Sequence, residues 1–293
     1  MTLQTQATLV KLEIKKWDGY KKDKRVNDDI QARFKTQGKR GNFNKQLFDK
    51  DILKPLTKIA NSVREEHNKL TTPWCYDGVG VLPNKLFFQY GQMIRSYRDK
   101  YEAAADNFES QYPIHIANER TKLEGLFNPD DYPPASEIRK KFAINTLFFP
   151  VPDSGHFMLD DLDQNTKQEL SIGLDSTLAN QQRETVQHLY DRIIKLVGHM
   201  HERLSDPQHI FRDSLVQNVQ QLVDVLPAMN LFGDPKIDEV VSKLQTEVLI
   251  AEPEDLRVDM PLRKHIADQA FDIVNLLNGG EAHANSSPAG SPT

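Results

Sequence analysis

Residues 8–16 read Thr8-Leu9-Val10-Lys11-Leu12-Glu13-Ile14-Lys15-Lys16. Val10, Leu12 and Ile14 alternate with Lys11, Glu13 and Lys15. A period of two with β-branched residues predicts a half-buried strand. This stretch makes the chain α+β, because nearly everything beyond it reads as helix. Trp17 follows, and Asp18-Gly19 is a turn signal. Residues 143–151, Ala-Ile-Asn-Thr-Leu-Phe-Phe-Pro-Val, are extended and apolar and form the natural second strand, paired with residues 8–16. Residues 156–160, His-Phe-Met-Leu-Asp, offer a third.

The helices announce themselves by spacing. Over residues 43–70 the apolar positions Leu47, Phe48, Ile52, Leu53, Leu56, Ile59, Ala60, Val63 and Leu70 recur every three or four. Pro55 suits a first turn, so this helix should start near Lys54 and end at Thr72-Pro73. Residues 74–83 read as a loop, and a long helix should start at Asn84, a good N-cap. Its face carries Leu86, Phe87, Tyr90, Met93, Ile94, Tyr97, Tyr101, Ala104 and Phe108. Residues 128–134 are a proline-rich connector, followed by a short helix over 137–142 capped by Ser136.

From about residue 163 the pattern is helical throughout. One segment runs to Leu204, with Val186, Leu189, Tyr190, Ile193, Ile194, Val197 and Met200 on its face. Asp206-Pro207, Asp234-Pro235 and Pro261 each open a further helix, since an Asp acceptor and a pre-set φ suit a helix start. The tail from Gly279 has no apolar residues to bury and should be disordered. The expected fold is α+β, predominantly α: long antiparallel helices with a small two- or three-stranded β element. The expected regions are 1–160 (α+β, with a basic head), 161–278 (helical) and 279–293 (tail).

Charge is uneven. Residues 1–50 hold 13 Lys/Arg against 6 Asp/Glu, a balance of +7, so with a net charge of −5 the remainder sums to −12. The basic segment is Lys15-Lys16-Trp17-Asp18-Gly19-Tyr20-Lys21-Lys22-Asp23-Lys24-Arg25, with Lys35, Lys39, Arg40 and Lys45 extending its field. Cations neutralise phosphates and aromatic faces stack bases, so Lys15, Lys16, Trp17, Tyr20, Lys21, Lys22, Lys24, Arg25, Lys39 and Arg40 form a candidate surface for single-stranded nucleic acid. An acidic protein partner suits the same cations. The plainer reading is a solvated turn with Trp17 tucked into the core.

Other chemistry is thinner. His188, His199, His201 and His209 lack the His-Glu-x-x-His spacing that converges on a metal, so no metal site is expected, and a hydrolase centred on His188 and His199 ranks last. Cys75 is the single cysteine, with His67 near it in sequence. It reads as a small buried thiol rather than a nucleophile. Residues 37–42, Gln-Gly-Lys-Arg-Gly-Asn, lack a phosphate-cradling pattern. Asp160-Asp161-Leu162-Asp163 lacks the glycine and glutamate of a calcium loop and suits a helix N-terminus. No catalytic residue or cofactor is expected. No run approaches the ~20 apolar residues of a membrane span, and a cytoplasmic setting follows from the lone cysteine and the absence of a signal pattern.

Several pieces occur together: Lys16-Trp17-Asp18-Gly19 and the lysines after it, Thr72-Pro73-Trp74 with Gly80-Val81-Leu82-Pro83, Asp131-Tyr132-Pro133, Lys141-Phe142, and Phe149-Pro150-Val151-Pro152. Their order resembles an uncharacterised family of bacteriophage and bacterial proteins, domain of unknown function 3150, over roughly residues 8–160. The resemblance implies a phage or bacterial cytosolic setting, in the bacterium or the infected host cell. It also implies a neighbourhood of MoxR-type AAA+ ATPases and von Willebrand factor A proteins as partners, and it carries no catalytic residues. The resulting expectation is a non-enzymatic binding or scaffolding protein that engages a protein partner or itself, with nucleic-acid binding as the alternative.

Overall fold

The computed structural model describes residues 3–38, 40–153 and 163–279. The expected strand over 156–160, the residues Asp160 and Asp161, Lys39 and the tail from residue 280 lie outside them. The chain is predominantly α with a small antiparallel sheet. It divides into two compact units that are discontinuous in sequence. The first holds residues 1–11, 68–88 and 148–293, the second residues 12–67 and 89–147. The sequence pattern suggests instead consecutive regions meeting near residue 160.

A short helix α1 (Leu3–Gln6) leads into strand β1 (Ala7–Lys15), where the alternating pattern predicts it. The sheet has four strands in the order β4-β5-β1-β6, with β4 at Thr72–Pro73, β5 at Val79–Pro83 and β6 at Ala143–Pro150. β6 lies beside β1, as the two apolar runs predict. The hairpin β4–β5 replaces the expected loop over 74–83. Val79, Val81 and Leu82 are apolar enough for a strand, and antiparallel register sets Leu9 opposite Val81 and Ala7 opposite Pro83. Gly78, at φ 73°, turns the hairpin. Gly80 is required by a close approach: a Cβ there would lie 2.9 Å from the Thr71 Cβ.

In the first unit, Ala7, Leu9, Trp74, Val81 and Val151 form a small core under the sheet. The larger core lies between helices α6 (Gln164–Ser205), α7 (Ser214–Met229), α8 (Pro235–Lys243) and α10 (Met260–Asn278); a single turn, α9 (Asp255–Val258), precedes the last. Leu189, Ile193, Val197, Met200 and Leu204 recur every three or four residues along α6 and are buried. They face Ile266, Ala267, Ala270, Ile273 and Leu277 of α10. Gly198 approaches Val274, His201 bonds the Ala267 carbonyl, and Arg263 bonds the Leu204 carbonyl, so α6 and α10 run antiparallel. Asp163, Asp234 and Asp259 cap α6, α8 and α10, each accepting from backbone N–H groups of the first turn.

One start signal fails. Asp206-Pro207 opens no helix, and α7 begins only at Ser214. The buried Arg263 guanidinium takes the carbonyls of Arg203, Leu204, Asp206 and His209 at 2.6–3.0 Å and so fixes residues 206–213 as a non-helical loop. Ile210, an apolar residue within that expected helix, is 93% exposed.

The second unit is built on β2 (Tyr20–Lys22), α2 (Lys24–Phe34), β3 (Asn44–Gln46), most of α3 (Lys50–Leu70), most of α4 (Phe87–Leu123) and α5 (Ala135–Ile138). α3 starts at Lys50, not near Lys54, so Pro55 lies inside the helix, where it removes one backbone donor. Burial of Leu53 with Leu56, Ala60 and Val63 carries the helix back past the proline. Of the face expected of α4, Tyr90, Ile94, Tyr101 and Phe108 are buried in the core, whereas Phe87 is exposed. Phe48 sits among Trp17, Phe108, Tyr112, His115 and Tyr132, with ring centroids 5.4–6.2 Å away. The buried tyrosines find backbone acceptors: Tyr101 at Lys15, Tyr112 at Pro133 and Tyr132 at Leu47. Burial pushes all three phenols up to about 12.

Candidate binding surface of the basic head

β1 ends at Lys15, and Trp17 turns inward. Its half-buried indole packs on Phe48, Phe108 and Tyr112. Gly19 has φ 71°, and a Cβ there would meet Leu53 Cδ1 at 2.9 Å, so the turn needs glycine on both counts. Asp18 accepts from the Tyr20 N–H, and the chain enters the ribbon β2–β3, with Tyr20 opposite Gln46 and Lys22 opposite Asn44. Asp23 then caps α2, accepting from Val26 N.

The head is tied down by one buried ion-pair cluster. Lys45 Nζ lies 2.9 Å from Asp23 Oδ2 and 2.5 Å from Asp131 Oδ2, and it donates to the Leu126 carbonyl at 2.7 Å. Burial alone would lower the Lys45 ammonium, but the hydrogen bonds to Asp131 and Asp23 outweigh it and hold it above the ordinary lysine value. The hydrogen bond from Lys45 holds the Asp23 carboxyl below its ordinary value. Lys45 is therefore a core cation and adds nothing to the surface field expected of it. A second tether runs through Asn27, whose side chain accepts from Phe43 N at 2.7 Å and donates to the Asp23 carbonyl at 2.5 Å.

The remaining candidates do reach the surface. Lys15, Lys16, Tyr20, Lys21, Lys22, Lys24, Arg25 and Arg40 are all exposed. Residues 20–40 carry eight cations against three carboxylates. Trp17 is the exception: its half-buried ring packs on Phe48, Phe108 and Tyr112 and shows only part of its surface, so Tyr20, 41% exposed, is the more open aromatic of the segment. A groove of about 500 Å³ opens beside it, lined by Trp17, Tyr20, Phe48 and Leu53. Three lysines (Lys16, Lys50, Lys54) and three aspartates (Asp18, Asp49, Asp51) rim it, so the groove itself is close to neutral.

The sequence pattern does not single out α2, yet its position is unusual. None of its eleven residues is buried. Val26, Ile30 and Phe34 recur every four residues on one face. Ile30 is 43% and Phe34 68% exposed, and together with Phe43 and Arg40 they line a second groove of about 340 Å³. The spacing Val26-x-x-x-Ile30-x-x-x-Phe34 carries the stripe, on a helix with Lys24, Arg25 and Arg33 near its ends and Asp28 and Asp29 in its middle.

The other candidates disperse. His188 and His199 are eleven residues apart on α6, which at 1.5 Å per residue separates them by roughly 16 Å. Among the described residues no three His, Cys, Asp or Glu side chains come together to hold a metal ion. Cys75 is exposed rather than buried, and partial desolvation with the nearby Glu184 charge raises its thiol. His67 instead faces Tyr90, with Nδ1 2.9 Å from the phenol oxygen.

No family model, curated protein or solved structure matches this chain. Among the described residues, no helix is long and apolar enough to cross a membrane.

Proposed function

We propose that this chain is a non-enzymatic binding or scaffolding protein that docks an acidic protein partner on its basic head. The supporting observation is α2: a helix with no buried residue, an apolar stripe of Val26, Ile30 and Phe34, and cations at both ends. Such a helix stabilises a fold little where it stands, and an amphipathic helix laid in an apolar groove is a recurrent mode of peptide recognition. Lys21, Lys22, Lys24, Arg25, Arg33 and Arg40 would steer a negatively charged partner, and Phe34 would anchor it. In a phage or bacterial cytosol, the MoxR-type ATPases and von Willebrand factor A proteins of the resembled family are the first partners to try.

A photocrosslinking phenylalanine analogue in place of Phe34, irradiated in the producing cell, tests this reading. The expected product is an adduct with one acidic protein, absent when Lys21, Lys22, Lys24 and Arg25 are replaced by Ser. Adducts with nucleic acid, or none, would overturn it.

Nucleic-acid binding is the second reading, favoured by the exposed Lys21, Lys22, Lys24, Arg25 and Tyr20. With Trp17 half-buried against Phe48 and Phe108 and carboxylates on the groove rim, Tyr20 is the one exposed ring, which suits single strands poorly. Anisotropy of labelled oligonucleotides at two salt concentrations separates the readings, since phosphate contacts make affinity fall steeply with salt.

A further inference from the structure

The first unit holds a cationic pocket that the docking reading does not use. It lies where α6 ends and α7 begins, has a volume of about 280 Å³, and its lining mixes polar residues (Arg203, Arg212, Ser214) with apolar ones (Ile210, Phe211, Leu215). Neither the Arg203 nor the Arg212 guanidinium makes an ion pair among the described residues. Among the described residues no carboxylate lines the pocket: Asp213 pairs with Arg257 and Asp206 lies 3.6 Å from His209, while Glu202 borders it, 3.9 Å from the lining His199.

The wall is fixed in advance. Arg263 holds the last turn of α6 through the Arg203 and Leu204 carbonyls and the loop through those of Asp206 and His209, and the guanidinium groups of Arg257 and Arg263 lie 5.2 and 5.3 Å from the Phe211 ring centroid. Two unpaired guanidinium groups beside hydroxyl and amide donors match a tetrahedral oxyanion, for which arginine forks are well shaped. Ile210, 93% exposed beside them, supplies an apolar surface with no structural use of its own. The volume lies just under the range of drug-sized sites, so the ligand is small.

We infer that this pocket binds a phosphate monoester of a small apolar or aromatic group, with Arg203 and Arg212 on the phosphate and Ile210 and Leu215 against the ester group. Calorimetric titration of the full chain at low ionic strength with phenyl phosphate, and separately with inorganic phosphate, tests it. Saturable one-to-one binding of phenyl phosphate is expected, tighter than that of inorganic phosphate. The double variant R203Q/R212Q should weaken it by about tenfold or more, since each charge-assisted contact is worth more than a neutral one. Ile210→Ser, at a position too exposed to affect folding, should weaken phenyl phosphate binding and leave inorganic phosphate unchanged. The inference is overturned by an absence of saturable binding, by undiminished affinity in a folded R203Q/R212Q variant, or by equal affinity for the two probes.

Discussion

Lys45 and Asp23, twenty-two residues apart in sequence, meet at 2.9 Å in a site where their side chains are 2% and 4% exposed. The contact joins β3 to the cap of α2, and Asp131 closes it from the other side. Removing one member of a buried pair leaves an uncompensated charge, at a cost of about 3–5 kcal/mol. Lys45→Met should therefore lower unfolding stability by about that amount in urea titration. Adding Asp23→Asn should recover part of the loss, because one of the stranded carboxylates becomes neutral.

His67 should make the protein acid-sensitive. Burial lowers its imidazole from 6.5 to about 4. Below pH 6.5 the unfolded chain binds a proton that the folded one refuses, so stability is full above that pH and falls between pH 6.5 and about 4. The loss reaches roughly 3 kcal/mol at the lower end. Urea midpoints across this window should fall in the parent and fall less in His67→Gln.

Arg263 of α10 should be the least replaceable residue holding the loop over 206–213. It is 4% exposed and bonds four carbonyls. Arg263→Met should cost at least about 3 kcal/mol, through lost charge-assisted bonds and carbonyls left buried. Hydrogen exchange should rise first at residues 206–213. Arg263→Lys should restore little, since a single ammonium cannot span the same set.

Ile30→Ser with Phe34→Ser should leave folding stability within about 0.5 kcal/mol, as for exposed positions generally. The same variant should lose partner binding. A large destabilisation on thermal melting would mean that α2 packs against its own chain and serves no docking purpose.

Periodicity made β1, β6, α6 and α10 legible, and Asp234-Pro235 and Pro261 marked real helix starts. Asp206-Pro207 looked identical and misled, because Arg263, far along the chain, claims the carbonyls around it. Residues 74–83 read as a loop in the sequence, and the close Thr71 side chain that demands Gly80 is a tertiary fact. Lys45 could not be distinguished from its surface neighbours without knowing that Asp23 and Asp131 converge on it. Trp17 carries both a stacking and a core reading in the sequence, and its half-buried ring packs on Phe48 and Phe108 while still lining a groove.

The discontinuous layout of the two units has a consequence for how the protein comes apart. β1, α3, α4 and β6 each pass from one unit into the other without a break. No single cut releases either unit as one piece of chain, and a gene fragment ending near residue 150 would strip the first unit of its long helices while leaving pieces of its sheet behind. Because a helix melts as a cooperative whole, loss of order on one side of α3 or α4 draws on the other. Calorimetry should show one transition rather than two, and limited proteolysis should find its early cuts in an exposed loop such as 40–42.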